Sequence, residues 1–124
     1  MRLRLDMTAR AAAHTAQIKA DLKITSAQDA AWKVYEAAVT QQAAAMQAAR
    51  TQMQALMQKA QPLTAPEWAA QREAMSKQRQ AGLQARTAAL KDLYAVLTPE
   101  QRAIADRDMG PGGGYRMGGW HRMR

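Results

Sequence analysis

Residues 95–101 read Ala-Val-Leu-Thr-Pro-Glu-Gln, AVLTPEQ, and residues 22–28 read Leu-Lys-Ile-Thr-Ser-Ala-Gln, LKITSAQ. Each stretch sets a branched apolar residue (Leu97, Ile24) before a threonine (Thr98, Thr25), then two spacers and a glutamine (Gln101, Gln28). That spacing is the capping box. The threonine oxygen accepts from the amide three residues on, and the side chain at that position reaches back to the threonine's own amide. A third box, Thr64-Ala-Pro-Glu67 after Leu63, closes with glutamate. Pro99 at the first helical position and Pro66 at the second lack only an N–H that a helix start leaves unpaired anyway. The boxes therefore mark three helix starts. They divide the chain into four helices, over about 6–22, 26–60, 66–96 and 99–108. At ~1.5 Å per residue the second would be roughly 50 Å long. No stretch alternates apolar and polar residues with period two, so no strand is expected. The fold class is all-α, four helices with a long central helical hairpin.

Composition sets the limits of such a fold. The 124 residues make one domain, read as a helical body over 1–109 and a flexible Gly/Arg/Met-rich tail over 110–124. Of the 48% hydrophobic residues many are alanine, and there is no Phe. Alanine favours helix but buries little area, so helices form readily around a thin core. With no Cys, disulfides cannot staple that core, which leaves oligomerisation as the remaining device. Eighteen Lys+Arg against ten Asp+Glu give a formal charge of +8, a balance that favours acidic partners. No apolar run is long enough to span a membrane. The N-terminal MRLRLDMTARAAAH carries basic residues but no apolar stretch of the kind a leader needs.

The two long helices share an unusual face. At about 100° per residue, Trp32, Val39, Met46, Met53 and Met57 fall on one stripe, and Arg50 falls on it too. On the next helix Trp68, Met75, Leu83, Leu90, Leu93 and Leu97 line up with Arg72, Arg79 and Arg86 at heptad spacing. One reading is packing, with arginine methylenes laid on apolar neighbours and methionine as core filler. The other is an open surface of Met46, Met53, Met75, Arg50, Arg72, Arg79 and Arg86 that holds partly unfolded chains, adaptable in its thioethers and cationic in its rim.

Catalytic chemistry has little to work with. No Cys/His pair is possible, the only histidines are His14 and His121, and no glycine-rich loop precedes the tail. No enzyme and no cofactor is expected. No metal site is assigned; His14, Met117, His121 and Met123 are weak candidates, because thioethers with imidazole suit Cu(I). Tyr115, Arg116, Trp120 and Arg122 among the tail glycines are the sort of residues that stack on bases, but the body offers no aromatic-basic platform, and no nucleic acid is assigned as partner.

The segments Ile18–Trp32 and Leu93–Arg102, each carrying the Leu/Ile-Thr-x-x-Gln pattern, resemble the Spy/CpxP family, also called the LTXXQ-motif family. Leu97-Thr98-Pro99-Glu100-Gln101 matches the motif in full, and the earlier copy departs from it only at Ile24. The resemblance covers roughly residues 7–108. It implies a cradle-shaped antiparallel homodimer in the periplasm, and an ATP-independent chaperone of the envelope stress response that holds unfolded client proteins on its concave face. It leaves two alternatives, a metal-responsive periplasmic sensor or Cu/Zn-binding stress protein and a basic nucleic-acid-associated protein. Export would require a leader, so a trimmed chain or a misassigned start is expected.

As helix caps, Thr25, Gln28, Thr64, Glu67, Thr98 and Gln101 serve the fold. Thr98→Ala should lower stability by about 1 kcal/mol, read from denaturant melts, and leave client affinity per folded molecule unchanged.

Overall fold

In a computed structural model describing residues 7–110, the capping boxes at Thr64 and Thr98 both close. Glu67 N donates to Thr64 Oγ1 (3.3 Å) while Thr64 N donates to Glu67 Oε1 (2.8 Å). Gln101 N donates to Thr98 Oγ1 (3.2 Å), and Thr98 N donates to Gln101 Oε1 (2.9 Å). These boxes start α3 (Ala65–Val96) and α4 (Pro99–Met109), which follow α1 (Met7–Leu22) and α2 (Asp29–Met57). The chain is all-helical, with four helices and no strand among the described residues. At ~1.5 Å per residue α2 and α3 extend roughly 44 Å and 48 Å. The tail, with Met117, His121 and Met123, lies outside the described residues.

The box at Thr25 behaves differently from its spacing. Gln28 reaches back as expected, its Oε1 accepting from Thr25 N at 3.1 Å. The other half is a turn instead, with Gln28 N donating to the Thr25 carbonyl (3.0 Å). α2 therefore starts at Asp29, three residues later than the box predicts, with Gln28 in the cap position and making no side-chain cap bond. Lys23, in the left-handed region (φ 57°), turns the chain out of α1, its N–H held by the Lys19 carbonyl at 2.9 Å.

The freed capacity of Gln28 is used across the molecule. Gln28 Nε2 donates to Gln101 Oε1 (2.7 Å), and Gln101 Nε2 donates to Gln28 Oε1 (3.0 Å), so the two amides close a ring. The second proton of each amide goes to the end of a helix. Gln28 Nε2 donates to the carbonyl of Val96, last residue of α3, and Gln101 Nε2 to that of Leu22, last residue of α1, each at 2.9 Å. Every donor and acceptor of both amides is thus satisfied, and both side chains are buried. Arg102 takes two more carbonyls near the end of α3, its Nε donating to Tyr94 O (3.1 Å) and an Nη to Ala95 O (3.3 Å). Its guanidinium also lies over the Tyr94 ring, 5.0 Å from the centroid.

The core is built around this junction. Ile18 and Leu22 of α1, Trp32, Tyr35 and Val39 of α2, Ala89 and Leu93 of α3, Leu97, and Ala105 of α4 form one buried cluster. Trp32 and Tyr35 meet with ring centroids 5.5 Å apart, and Trp32 Nε1 is buried without an acceptor among the described residues. Such an orphan costs about 1–3 kcal/mol, a loss set against the area of the fully buried indole. The members on α2 and α3 all lie in the motif-proximal half of their helix. Toward the hairpin turn, the stripe read from sequence comes apart: Leu83 is 51% exposed and Met57 69% exposed.

Gln101→Ala would strand the Leu22 carbonyl, the Thr98 amide and half of Gln28, and should cost about 2–4 kcal/mol in a denaturant melt. Gln28→Ala should cost a similar amount. The double variant should lose clearly less than the sum of the two, the coupling that marks a direct pair.

Candidate functional site

From about Val39 onward the side chains that α2 and α3 turn toward each other become small. Ala38, Ala45 and Ala49 on α2 face Ala81, Gly82 and Ala85 on α3, leaving a cleft of about 730 Å³ between the helices. Alanine and glycine hold the helices together here without filling the space that Trp32, Tyr35 and Leu93 fill nearer the motifs. The cleft walls are methionine, contributed by Met46, Met53 and Met75, with Met7 from the start of α1. Gln41, Gln42, Gln54 and Gln78 add amides, and among the described residues Arg50 and Arg79 add the charges of the lining. The Met7 amide fixes α1 at the cleft edge by donating to Gln47 Oε1 at 3.2 Å.

Five of the seven residues that the shared stripe puts on an open surface thus meet in one place. Met46 is 43% exposed, Met53 and Met75 are half-buried, and Arg50 and Arg79 are exposed. The two remaining arginines part company with them. Arg72 is exposed and does not line the cleft. Arg86 turns into the hairpin and donates to Gln42 Oε1 at 3.1 Å, forming part of the wall of a smaller hollow of about 330 Å³ with His14, Arg10 and Val39. Gln42 is buried and borders both spaces, so the Arg86–Gln42 bond separates the packed end of the hairpin from the open one.

The charge around the cleft is one-sided. No Asp or Glu occurs over residues 37–66 or 74–91, while Arg50, Lys59, Lys77, Arg79, Arg86 and Lys91 do. Lys77 has its own partner in Glu73 (3.8 Å), but among the described residues neither Arg50 nor Arg79 has a carboxylate within ion-pair distance. Net charge gave only the total; the sequence signal for its location is this pair of carboxylate-free windows. No group of three or more His, Cys, Asp and Glu side chains is placed to hold a metal ion among the described residues. Nor is any described helix long and apolar enough to cross a membrane.

The paired motifs and the helical hairpin they close have a counterpart among known families. The model of the LTXXQ motif family matches residues 10–109. The chain belongs to the LTXXQ motif family. That family includes Spy/CpxP-like periplasmic proteins and is not known for enzymes. Comparison with curated proteins and with solved structures finds no match. In this LTXXQ chain the motif residues sit in the junction, and the cleft begins where their core ends.

Neither space nor backbone geometry demands the glycine at position 82, which borders the cleft. A Cβ added there would meet Gln42 Cγ at 3.5 Å, ordinary contact, and the residue is helical. Gly82→Ala should therefore raise stability by about 0.5–1 kcal/mol, seen as a higher thermal midpoint.

Proposed function

We propose that this chain is an ATP-independent holdase of the periplasmic envelope stress response, binding partly unfolded proteins in the cleft between α2 and α3. The observation that carries the reading is the cleft's composition, methionine thioethers and alanine methyls along the walls with unpaired arginines at the rim. Unbranched thioethers adapt to apolar segments of varied shape, so no single client sequence is demanded. The arginines draw carboxylate-bearing chains toward the opening and raise the encounter rate more than the final affinity. Side-chain amides of Gln41, Gln54 and Gln78 supply hydrogen bonds that an unfolded backbone otherwise makes with water. Nothing in such a site turns over a nucleotide, and release would follow from the weakness of each contact.

Family membership supports the periplasmic setting and a second element of the proposal, an antiparallel dimer. Two hairpins side by side would set their open halves along one concave surface and form a cradle. The thin core supports this as well, since the half of the hairpin toward the turn buries little on its own. Met46, Met53, Met75, Arg50 and Arg79 would then lie on the client-facing side, with Arg72 and Arg86 contributing charge from its margins.

The test is suppression of aggregation of a reduced, unfolded substrate, scored as the chaperone ratio that gives half suppression. Arg50→Gln with Arg79→Gln should raise that ratio about threefold to tenfold at low salt, the sum of two exposed charge contacts. The difference should shrink as salt shortens the Debye length. Lys91→Gln, which removes a charge away from the cleft, should leave it unchanged. Equal ratios for the double variant and the parent would show that the arginines take no part.

A further inference from the structure

Methionine is distributed unevenly through this fold. The chain has nine methionines and no cysteine, so thioethers are its only oxidisable sulfur. Among the described residues no methionine belongs to the buried core, whose members are Ile18, Leu22, Trp32, Tyr35, Val39, Ala43, Ala89, Leu93, Leu97 and Ala105. Four line one cleft between α2 and α3, Met7, Met46, Met53 and Met75. Met46 is 43% exposed, and Met53 and Met75 are half-buried, so a small oxidant reaches them in the folded protein.

We infer that Met46, Met53 and Met75, with Met7, form an oxidation site through which peroxide-class oxidants convert the cleft from an apolar to a polar surface while the fold stays intact. The chemistry is a two-electron oxygen transfer. The thioether sulfur attacks one oxygen of hydrogen peroxide, the O–O bond breaks, an S–O bond forms, and the other oxygen leaves as water. Sulfur loses two electrons and becomes a sulfoxide, and the peroxide is reduced.

Placement decides the consequence. A sulfoxide carries a strong dipole, and burying it against an apolar surface without a hydrogen-bond partner is unfavourable. In a core it would unfold the protein. Here the core holds no methionine among the described residues, and its anchoring glutamine pair holds no sulfur, so oxygens added in the cleft face solvent and the cleft. The cleft should lose its grip on apolar groups at constant fold. Loss of client binding is the part of this inference that rests on the proposed function; oxidation of the cleft does not depend on it.

The experiment treats the full chain with hydrogen peroxide at neutral pH. Peptide mapping by mass spectrometry should find one added oxygen on each of Met46, Met53 and Met75 in protein whose helical melting transition persists. Binding of a neutral apolar fluorophore, Nile red, should weaken about tenfold or more. Met109 packs against the core from its edge, so the same measurements on Met109→Leu keep any effect there separate. A variant with Met46, Met53 and Met75 all changed to Leu is compared with itself: whatever its starting affinity, the treated and untreated samples should agree. The inference is overturned if the three methionines stay unoxidised while exposed Met57 is fully converted, or if oxidised protein has lost its melting transition. It is also overturned if the leucine variant loses Nile red binding as the parent does. Should mapping and dye behave as expected while suppression of client aggregation is untouched, the oxidation site stands and the cleft is not where clients bind.

Discussion

The reciprocal pair of Gln28 and Gln101 is the contact on which the rest of this fold hangs. Helices rich in alanine and poor in large apolar residues bury too little to fix their own arrangement, and the chain has no disulfide to help. The two amides join residues 73 apart in sequence and reach from the cap of α2 to the first turn of α4. Each does three things at once. It caps its own threonine amide, takes the last carbonyl of the other motif's preceding helix, and pairs with its partner. Because the pair is buried, an unmet donor or acceptor would be costly, so the geometry tolerates little slippage. The core of Trp32, Tyr35, Leu93 and Leu97 assembles around a junction whose angles are already set.

Glutamine, and not simply a capping residue, is what this arrangement requires. A capping box needs an acceptor at its third helical position, and glutamate serves that purpose well. The chain shows as much at Thr64, where the exposed Glu67 closes the box and its charge favours the start of α3. A carboxylate at 28 or 101 would have no proton to give the opposite helix end, and carboxylates at both would face each other as like charges. The pattern of two boxes closed by glutamine and one by glutamate therefore separates those that meet in the interior from the one that faces water.

That distinction also measures what could be read without the structure. The ends of α1, α3 and α4 follow from local chemistry, cap, proline and glycine, and they stand within a residue or two of where the caps put them. The start of α2 does not, because Gln28 serves a distant partner and Thr25 makes a turn. Spacing cannot show a contact formed by two residues so far apart in the chain. The Gln/Glu contrast could have. On the open half of the hairpin, period alone assembled Met46, Met53, Met75, Arg50 and Arg79 on one surface, and the structure draws them into one cleft. Heptad spacing puts Arg72 and Arg86 with Arg79, yet Arg86 finds the buried Gln42 and Arg72 faces outward. Angular position on a helix does not say which neighbour a long side chain will choose, nor that alanine and glycine opposite would leave room for a cleft.

Stability and, under the proposed function, recognition occupy opposite ends of the same two helices. Near the motifs large rings and branched side chains interlock, and a rigid interior of that kind holds one shape. Past the Arg86–Gln42 bond, alanine lets the backbones run together while methionine and arginine are left with little to pack on. A surface of that kind would be a defect in a protein that had to stabilise both ends equally. Here the junction has already fixed the helices, and their length carries that order roughly 20 Å into the unpacked half. The hairpin can therefore keep an adaptable apolar cleft open to water because its position is determined elsewhere, and chemistry confined to the cleft need not reach the interactions that hold the fold.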